Sequence, residues 1–375
     1  MHDAAAARLI PAGIPLAIWV YLLLGRGGFW REPSVAKSRD AARTSACATV
    51  VAVVPARNEA EVIGRAVGSL VRQGLQVIVV DDGSTDGTAE IAASLGVTVI
   101  HGKPLAPGWT GKLWAMSQGV THAMQFEPEY LLFTDADIRH GAQTVAELLQ
   151  IAESYDLASY MVKLACTTTA EKALIPAFVF FFLKLYPPAW IRSPGFKTAG
   201  AAGGCILIRT AALRKIGGLQ SIAGEVIDDC ALAHAVKRSG GRVWMGLTED
   251  AESIRSYGGF GDIGRMISRT AFNQLHHSPL LLIGTVIGLF FTYLWPPLLV
   301  FSGNTAPMAL GGTAWALMTL AYLPMVRFYR LSWAWSLTLP LVALFYAGAT
   351  VYSAIQYWRG KGGEWKGRAQ DARGR

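Results

Sequence analysis

VIVVDDGSTDGT, residues 77–88, is the stretch of this sequence that decides the fold. Its β-branched run 77–80 predicts a strand, and the aspartates and glycine that follow predict a tight turn. Two further β-branched or aliphatic runs, 50–54 and 130–133, also end in turn-forming or polar residues. Helical stretches lie between the runs, at 59–72, 86–95 and 111–124. Because strands alternate with helices along the chain, we predict an α/β domain with a mainly parallel sheet.

The residues that follow the first two strands suit a nucleotide, because open α/β sheets bind ligands at the carboxyl ends of their strands. We expect Pro55 to stop the first strand and to form, with Ala56, a turn whose free backbone groups meet the base. Glu59 then opens a helix. Asp81 and Asp82 bring carboxylates to the next strand end, where they can accept hydrogen bonds from a base N–H or from ribose hydroxyls. The alternative is that these residues only form a turn and cap a helix.

Asp135 and Asp137 form a D-x-D motif after the third strand. Side chains alternate along an extended chain, so we expect both carboxylates on one side, with the small Ala136 between them. Two such oxygen ligands predict a hard divalent cation, Mg²⁺ or Mn²⁺, that bridges the motif to a diphosphate. A lone D-x-D is commonly a solvated loop pair, so this prediction depends on the neighbouring motifs.

Four acidic motifs in this order resemble family 2 glycosyltransferases, which have the GT-A fold. They are VVAVVPARNE at 50–59, VIVVDDGSTDGT at 77–88, LLFTDADI at 131–138 and VIDDCALAHAVKRSGGRVW at 226–244. Further strings are similar to those of the hopanoid-biosynthesis-associated membrane glycosyltransferases: GWTGKLWAMSQG at 108–119, AAGGCILIRTAALRKIGG at 201–218 and EWKGR at 364–368. The resemblance implies a Rossmann-like GT-A domain, a UDP-sugar donor and transfer with inversion at the sugar.

The resemblance also implies roles for individual residues. Pro55 and Asp82 correspond to donor contacts, and Asp229 corresponds to the catalytic base, with Asp228 at a position where many members have glutamate. The tripeptide TED at 248–250 matches the family's motif literally, but it follows a strand instead of preceding a helix. We therefore assign the base to Asp229 and interpret Asp250 as part of a loop.

Three basic residues are candidates for contacts with the donor. Lys112 lies at the expected N-terminus of a helix, where anions bind readily, although an exposed helix lysine is an equally good interpretation. Arg265 and Arg269 are four residues apart on an expected helix. They occupy the place where processive members of the family carry Q-x-x-R-W, which this sequence lacks. The resemblance therefore argues against polymer synthesis and leaves a diphosphate-clamping role for the two arginines open.

Composition and charge predict a membrane protein. Hydrophobic residues make up 52% of the 375 and charged residues only 16%, against about 25% charged in an average soluble domain. An uncharged run at 9–25 predicts a membrane anchor, and uncharged runs at 278–326 and 331–358 predict three more membrane segments, the first run being split by the turn at 302–304. The net charge of +8 comes with basic clusters at the ends of these runs, which indicates a cytoplasmic membrane surface and not a nucleic-acid partner. The clustered residues are Arg26, Arg31, Lys37, Arg39, Arg43, Arg359, Lys361, Lys366 and Arg368.

We predict four parts: an N-terminal anchor and basic linker (1–43), a GT-A glycosyltransferase domain (44–277), C-terminal membrane helices (278–358) and a basic cytosolic tail (359–375). The apolar segment 173–191 interrupts the catalytic domain. We expect it to lie on the bilayer as an interfacial helix, with burial in the protein core as the alternative. The segment 278–301 is expected to be interfacial or re-entrant, since four crossings would place the tail and the catalytic domain on opposite sides.

The sequence therefore predicts an inner-membrane, multi-pass enzyme whose catalytic domain faces the cytosol. It would transfer one sugar from a UDP-sugar to a lipid hydroxyl, and by resemblance the lipid is a hopanoid. Two alternatives stay open: a polyprenyl-phosphate sugar transferase, whose acceptor needs no deprotonation, and a non-catalytic membrane protein that binds or transports nucleotide sugars. Charges inside the membrane segments would favour transport, and the two C-terminal apolar runs contain none.

Overall fold

The computed structural model describes residues 2–31 and 48–360, together with the backbone of two short strands, Glu364–Trp365 and Arg368–Ala369. The chain divides into two compact units. The α/β unit contains residues 48–165 and Trp190–Ser256. The helical unit contains the N-terminal helix, Cys166–Ala189 and Tyr257–Gly360.

The α/β unit is built on one mixed sheet, which among the described residues has eight strands in the order β3-β2-β1-β4-β7-β6-β8-β5. The strands are β1 Val50–Ala56, β2 Gln76–Asp81, β3 Thr98–His101, β4 Tyr130–Thr134, β5 Ile138–His140, β6 Leu157–Lys163, β7 Cys205–Arg209 and β8 Val243–Ser253. The pairs β1–β2, β1–β4, β2–β3 and β6–β8 are parallel, and the other three are antiparallel. The prediction of an α/β domain with a mainly parallel sheet is confirmed.

The three strands whose ends were predicted to bind a nucleotide, β1, β2 and β4, are parallel neighbours in the sheet. Every residue of β1 and β4 is buried, as is β2 after its first residue. Strands covered on both faces consist of continuous apolar runs, which explains why these segments lack the alternation of a half-exposed strand. The helices of this unit are Ala60–Val71, Thr88–Ser94, Gly111–Ala123, Thr144–Ala152, Thr210–Lys215 and Asp228–Arg238, with 3₁₀ turns at Met124–Phe126 and Leu219–Ile222. The short helix Pro188–Arg192 is divided between the two units after Ala189.

Pro55 does not end β1, contrary to the expectation from the sequence. The strand continues to Ala56, and Pro55 is in register with Val80 of β2. Proline is tolerated here because β1 pairs with β4 only as far as Val53, so no donor is required from Pro55 on that side. The turn expected at Pro55 begins after Ala56.

The helical unit consists of long apolar helices. Four helices among the described residues are long and apolar enough to cross a membrane: Thr169–Arg192, Pro279–Val300, Thr305–Phe328 and Trp333–Trp358. The N-terminal helix His2–Leu24 adds a shorter apolar stretch, Pro11–Leu24. A less apolar helix, Phe260–Ala271, completes the unit. The segment 278–301, suspected of being re-entrant, is helical from Pro279 to Val300 with a π-helical turn at Phe290–Leu294.

Two tryptophan side chains donate hydrogen bonds to backbone carbonyls that prolines leave without a helical donor. Pro296 has no N–H to donate to the carbonyl of Thr292 four residues before it, and the indole of Trp19 donates to that oxygen instead (2.8 Å). The relation is reciprocal. Pro15 leaves the carbonyl of Pro11 without its helical donor, and the indole of Trp295 donates to it (3.2 Å). The N-terminal helix and the helix Pro279–Val300 therefore complete each other's hydrogen bonding.

The segment expected to be interfacial, 173–191, lies in two consecutive helices, Thr169–Leu185 and Pro188–Arg192, of which the first packs inside the helical unit. The ring of Phe180 lies 5.1 Å from that of Tyr322, and the hydroxyl of Tyr346 donates to the carbonyl of Leu174 (2.9 Å). The helix is thus partly buried among the other apolar helices, and both the interfacial position and the alternative of burial in the protein core stay predictions. Residues 166–189 and 257–277 also group with the apolar helices and not with the α/β unit.

Part of the predicted basic clusters lies outside the described residues. This applies to the boundary at 43–44 and to the linker and tail residues Lys37, Arg39, Arg43, Lys361 and Lys366. Among the predicted basic residues, the structure describes those next to the apolar helices, such as Arg26 and Arg359.

Candidate active site

Side chains predicted to carry the chemistry meet around Lys112. This lysine is the second residue of the helix Gly111–Ala123, and its Nζ lies 2.8 Å from Asp135 Oδ1 and 3.2 Å from Asp228 Oδ2. Asp135 follows β4, and Asp228 is the first residue of the helix Asp228–Arg238. The structure therefore brings three motifs from distant parts of the chain into one cluster, and Lys112 is not a solvent-exposed helix lysine.

Asp229 lies beside this cluster and is held by two backbone amides. Gly203 N donates to its Oδ2 (2.8 Å), and Cys230 N donates to its Oδ1 (2.7 Å). Burial raises the pKa of the Asp229 carboxyl group to about 6, and the neighbouring Asp228 carboxylate adds to this increase, whereas Lys112 and the two amides oppose it. A carboxyl group with such a pKa can accept a proton near neutral pH.

Lys112 stays a cation in spite of its burial. Burial alone would lower the pKa of its ammonium group, but the carboxylates of Asp135 and Asp228 outweigh that effect and raise the pKa above its ordinary value. One cation thus faces several carboxylates. The cluster keeps a net negative charge when these carboxylates are ionised, and a bound diphosphate requires further positive charge there.

Gly203 is needed for the close approach of its loop to the cluster. A Cβ atom at this position would lie 3.2 Å from Lys112 Nζ and 3.3 Å from Asp229 Oδ2. Either distance is tighter than an ordinary carbon contact, so a side chain at this position would require the ends of Lys112 and Asp229 to move by a few tenths of an ångström.

Asp81 and Asp82 lie at the end of β2, as predicted, but both side chains are buried, with only 1% of Asp82 exposed. The guanidinium of Arg57 donates to the backbone carbonyl of Asp82 and lies 4.0 Å from its carboxylate. The imidazole of His101, at the end of β3, lies 3.6 Å from Asp81 Oδ2. Protein groups thus orient both carboxylates at the sheet edge, and their contact with a nucleotide stays a prediction.

The loops after β1 and β2 are joined by hydrogen bonds from backbone to side chain. Asn58 N donates to Ser84 Oγ (3.0 Å), and Glu59 N donates to Thr88 Oγ1 (2.8 Å). Glu59 directly precedes the helix Ala60–Val71, which confirms that it opens a helix. The two loops therefore form one continuous border at the carboxyl ends of the parallel strands, where Pro55, Ala56 and Glu59 were predicted to contact the donor.

The D-x-D motif forms a turn and not the extended segment that the sequence argument assumed. β4 ends at Thr134, β5 begins at Ile138, and Ile138 N donates to the carbonyl of Asp135 across the turn (3.2 Å). The two carboxylates consequently face different partners. Asp135 faces Lys112, whereas Asp137 Oδ2 accepts from Ser253 Oγ (3.1 Å) and lies 3.5 Å from Arg255 Nε.

The donor set around Asp137 fits a magnesium-type cation. Its partly exposed carboxylate and the Ser253 hydroxyl are oxygen ligands of the kind that hard cations prefer. Within the described residues no group of three or more His, Cys, Asp or Glu side chains could enclose a metal. Mg²⁺ is commonly held by one or two carboxylates together with substrate phosphates, and Asp137 by itself matches that mode. Asp135 faces Lys112 instead, so its predicted role as a second ligand requires it to leave that lysine and stays a prediction.

The acidic residues of the TED tripeptide at 248–250 have partners of their own, since Glu249 pairs with Lys163 and Asp250 with Thr144. The tripeptide belongs to β8 and not to a loop, because the strand continues to Ser253. Asp250 Oδ2 accepts from Thr144 Oγ1 (2.8 Å), next to the start of the helix Thr144–Ala152. Glu252 pairs with Arg139 on the exposed face of the β5–β8 ladder. Asp250 is thus bonded to Thr144, and the assignment of the base to Asp229 instead of Asp250 stays a prediction.

Arg265 and Arg269 belong to the helix Phe260–Ala271 of the helical unit, which confirms that they are four apart on a helix. The side chain of Arg265 is 72% exposed and pairs with Asp262 one turn earlier. Their predicted role as a diphosphate clamp is tested by none of these contacts and stays a prediction.

Sequence reasoning missed four residues that the structure places in or beside the candidate site: Arg57, His101, Gly203 and Arg255. Arg57 stands within the motif VVAVVPARNE, so its position offered a signal. Gly203 stands in a quoted string without an assigned role. His101 and Arg255 are isolated in sequence and reach the site only because β3 and β8 lie in this sheet.

Residues 51–217 match the family described as "Glycosyl transferase family 2". A 100-residue stretch is 42% identical to the 4,4'-diaponeurosporenoate glycosyltransferase of Staphylococcus aureus strain bovine RF122 / ET3-1, and this match covers 26% of each chain. The corresponding enzyme of strain USA300 is 41% identical over 100 residues with the same coverage. The chain thus matches about a quarter of the length of these curated relatives.

Solved structures of glucosyl-3-phosphoglycerate synthase from Mycobacterium tuberculosis are also similar to this chain. The complex with Mn²⁺ and UDP-glucose gives a TM-score of 0.41 at 17% identity, over 63% of this chain and 81% of that chain. The complex with Mg²⁺ and UDP gives a TM-score of 0.41 at 17% identity, over 66% and 85%.

Proposed function

Residues 51–217 of this chain are a glycosyl transferase family 2 domain with a GT-A-like α/β fold, and from this premise we propose that the protein transfers a single sugar from a UDP-sugar to a membrane lipid hydroxyl, with inversion. The observation that carries the proposal is the cluster of Lys112, Asp135, Asp228 and Asp229. It combines a buried cation with a carboxyl group whose pKa suits proton transfer.

Asp229 is the proposed general base. The acceptor oxygen attacks the anomeric carbon, its proton passes to the Asp229 carboxylate, and the bond between that carbon and the diphosphate oxygen breaks. UDP leaves with the bonding electron pair. The two amides of Gly203 and Cys230 fix the carboxylate orientation, and lone pairs on its oxygens remain to take the proton. Asp228, the second proposed catalytic residue, forms an ion pair with Lys112 and thereby positions it.

The donor is proposed to lie along the carboxyl ends of β1, β2 and β4. The border formed by Pro55, Ala56 and Glu59 would face the base, and the carboxylates of Asp81 and Asp82 would face the nucleoside. Asp137, with Asp135, would hold a Mg²⁺ or Mn²⁺ ion, which offsets the negative charge on the leaving diphosphate when it is bound. Lys112 lies where it can approach the same phosphates from the helix N-terminus.

The acceptor is proposed to be a lipid that stays in the bilayer, at the cytosolic face of the inner membrane. Support comes from the four candidate spans and from relatives that are named for a diaponeurosporenoate. A hopanoid is the specific acceptor that we propose from the sequence motifs. The relatives favour a second candidate, a lipid carboxylate, which like a polyprenyl phosphate is already ionised and needs no base.

The decisive experiment is transfer by the full-length protein in liposomes. We expect UDP release from one of several UDP-sugars to rise when a polyhydroxylated hopanoid is present, with the glycolipid detected by mass spectrometry. Equal transfer to a soluble sugar would contradict a lipid acceptor. Transfer to a polyprenyl phosphate or a carotenoid carboxylate, with none to a hopanoid, would replace the hydroxyl acceptor with an ionised one.

Metal dependence of donor binding is a separate prediction. UDP should bind the purified protein roughly tenfold or more weakly when a chelator removes Mg²⁺ and Mn²⁺, because the diphosphate and Asp137 repel each other without an intervening cation. Calorimetry with and without chelator measures this. The variant Asp137→Asn should bind UDP with the same affinity in both conditions, and unchanged metal dependence in that variant would remove Asp137 from the metal site.

A further inference from the structure

Arg255 joins two carboxylates of the candidate donor site. It follows β8 by two residues, and its side chain forms an ion pair with Glu59, the residue that opens the helix Ala60–Val71. Its Nε also lies 3.5 Å from Asp137 Oδ2, in the turn of the D-x-D motif. One guanidinium group therefore spans from the loop after β1 to the turn after β4.

The backbone around Asp137 fixes the position of Arg255. β8 runs antiparallel to β5, with Ser253 opposite Ile138. Ser253 Oγ donates to Asp137 Oδ2 (3.1 Å), and Ile254 N donates to the carbonyl of Asp137 (2.9 Å). The segment that carries Arg255 is thus bonded to Asp137 at both its carboxylate and its backbone carbonyl, which holds the guanidinium near the D-x-D turn.

Charge balance gives this cation a role when the donor binds. Lys112 already faces the carboxylates of Asp135 and Asp228, and Arg255 faces those of Asp137 and Glu59. A nucleoside diphosphate that reaches this edge adds further negative charge. A guanidinium group offers five N–H donors in a planar fork that matches phosphate oxygens, and it is partly exposed here.

We propose that Arg255 binds the diphosphate of the sugar donor, exchanging its contacts with Glu59 and Asp137 for contacts with phosphate oxygens. This inference rests on the proposed function, because it takes a nucleoside diphosphate as the ligand. The competing role is structural: Arg255 would only hold Glu59 and the D-x-D turn together. The two roles differ in which part of the ligand they affect, since a phosphate contact acts on UDP and not on uridine.

The test compares UDP and uridine binding to the full-length protein in detergent with Mn²⁺ present, by calorimetry for UDP and by ligand-observed NMR for uridine. In Arg255→Gln, which keeps a hydrogen-bonding side chain but loses the charge, we expect UDP affinity to fall about 10- to 150-fold while uridine binding is unchanged. Arg255→Lys should lose less. The matched control is Arg139→Ala, which removes the neighbouring exposed pair with Glu252 and should bind UDP like the wild type.

Three results would overturn the inference. Equal losses for UDP and uridine in Arg255→Gln would show the structural role, and an unchanged UDP affinity would show that Arg255 does not contact the phosphates. A wild-type protein that binds neither UDP nor another nucleoside diphosphate would overturn the proposed function itself, and the inference with it. If Arg255→Gln strongly lowers the unfolding midpoint, Arg255→Lys becomes the deciding variant. Lysine keeps the positive charge, and that charge is all that retention of UDP affinity requires in this variant.

Discussion

A carboxyl group that takes a proton from a lipid hydroxyl works best when its pKa is near the operating pH. Burial and the neighbouring Asp228 bring the pKa of Asp229 to about 6, well above that of an ordinary aspartate. Asp228 itself is paired with Lys112, which holds it away from this task. The two adjacent aspartates therefore have different environments, and these environments separate their proposed roles.

Replacing Asp229 should remove catalysis and leave donor binding. We expect Asp229→Asn to lower kcat by about 10² to 10⁴ with little change in UDP affinity. In the wild type, kcat/KM should rise with pH through a midpoint of about 6 and level off about one pH unit higher, because the base acts only in its deprotonated form. This rise should be absent in the variant. An ionised acceptor would give neither the pH dependence nor the large loss.

Asp250→Asn is the matched comparison, because Asp250 belongs to the TED tripeptide. Its carboxylate is bonded to Thr144, so we expect the variant to lose stability and to keep its turnover. The reverse result, an active Asp229→Asn and an inactive Asp250→Asn, would exchange the two assignments.

Site residues could be predicted from the sequence where they belong to a motif. They could not be predicted where only the fold brings them to the site. Asp135, Asp228 and Lys112 were named separately from the sequence, but their mutual contacts depend on the meeting of three distant segments. Arg255 had no signal at all, since a lone arginine after a strand is common. Its importance comes from the antiparallel pairing of β5 with β8, which a single sequence does not reveal.

At the scale of elements, the sequence predicted the central strands and helices to within a few residues. The errors occurred at turns. Pro55 was expected to end β1 but lies inside it, and the residues 135–137 were treated as extended although they form a turn. Both errors have one cause. Whether these residues lie in a strand or in a turn depends less on local preference than on the neighbouring strand. β1 has no β4 neighbour at Pro55, and β4 ends at Thr134 before β5 begins.

The exchange of indole hydrogen bonds makes a prediction for the helical unit. Trp19→Phe keeps the aromatic packing against Tyr293 but leaves the Thr292 carbonyl without a donor. We expect this to cost about 1–3 kcal/mol, seen as a lower unfolding midpoint in detergent. Trp333→Phe is the control, because that side chain is 65% exposed. Equal midpoints for the two variants would mean that the Trp19 bond contributes nothing measurable.

At the scale of the whole molecule, composition alone indicated a membrane protein, and the helical unit agrees with it. Its four long apolar helices leave many large side chains exposed, among them Leu280, Phe301 and Leu341. A water-soluble protein rarely exposes so much apolar surface in one region. The sequence could not show that residues 166–189 join this unit, because the segment lies between two motifs of the α/β unit.

The protein should therefore behave as an integral membrane protein. We expect it to stay in the membrane fraction after washing with high salt and with alkaline carbonate, and to require detergent for release, because apolar helices and not surface charges would hold it. Immunoblotting of the fractions measures this, with a known peripheral protein as the control. Release by salt alone would mean that the basic clusters, and not the helices, attach the protein.

The reciprocal tryptophan bonds have a consequence for the order in which the chain is assembled. Trp19 and Thr292 are 273 residues apart. A ribosome that adds about 5–20 residues per second needs roughly 14–55 s to make that stretch. During this interval the Pro11 carbonyl has no Trp295 indole to bond with, so it needs another donor, such as water. The N-terminal helix reaches its final hydrogen bonding only after the entire α/β unit has been synthesised.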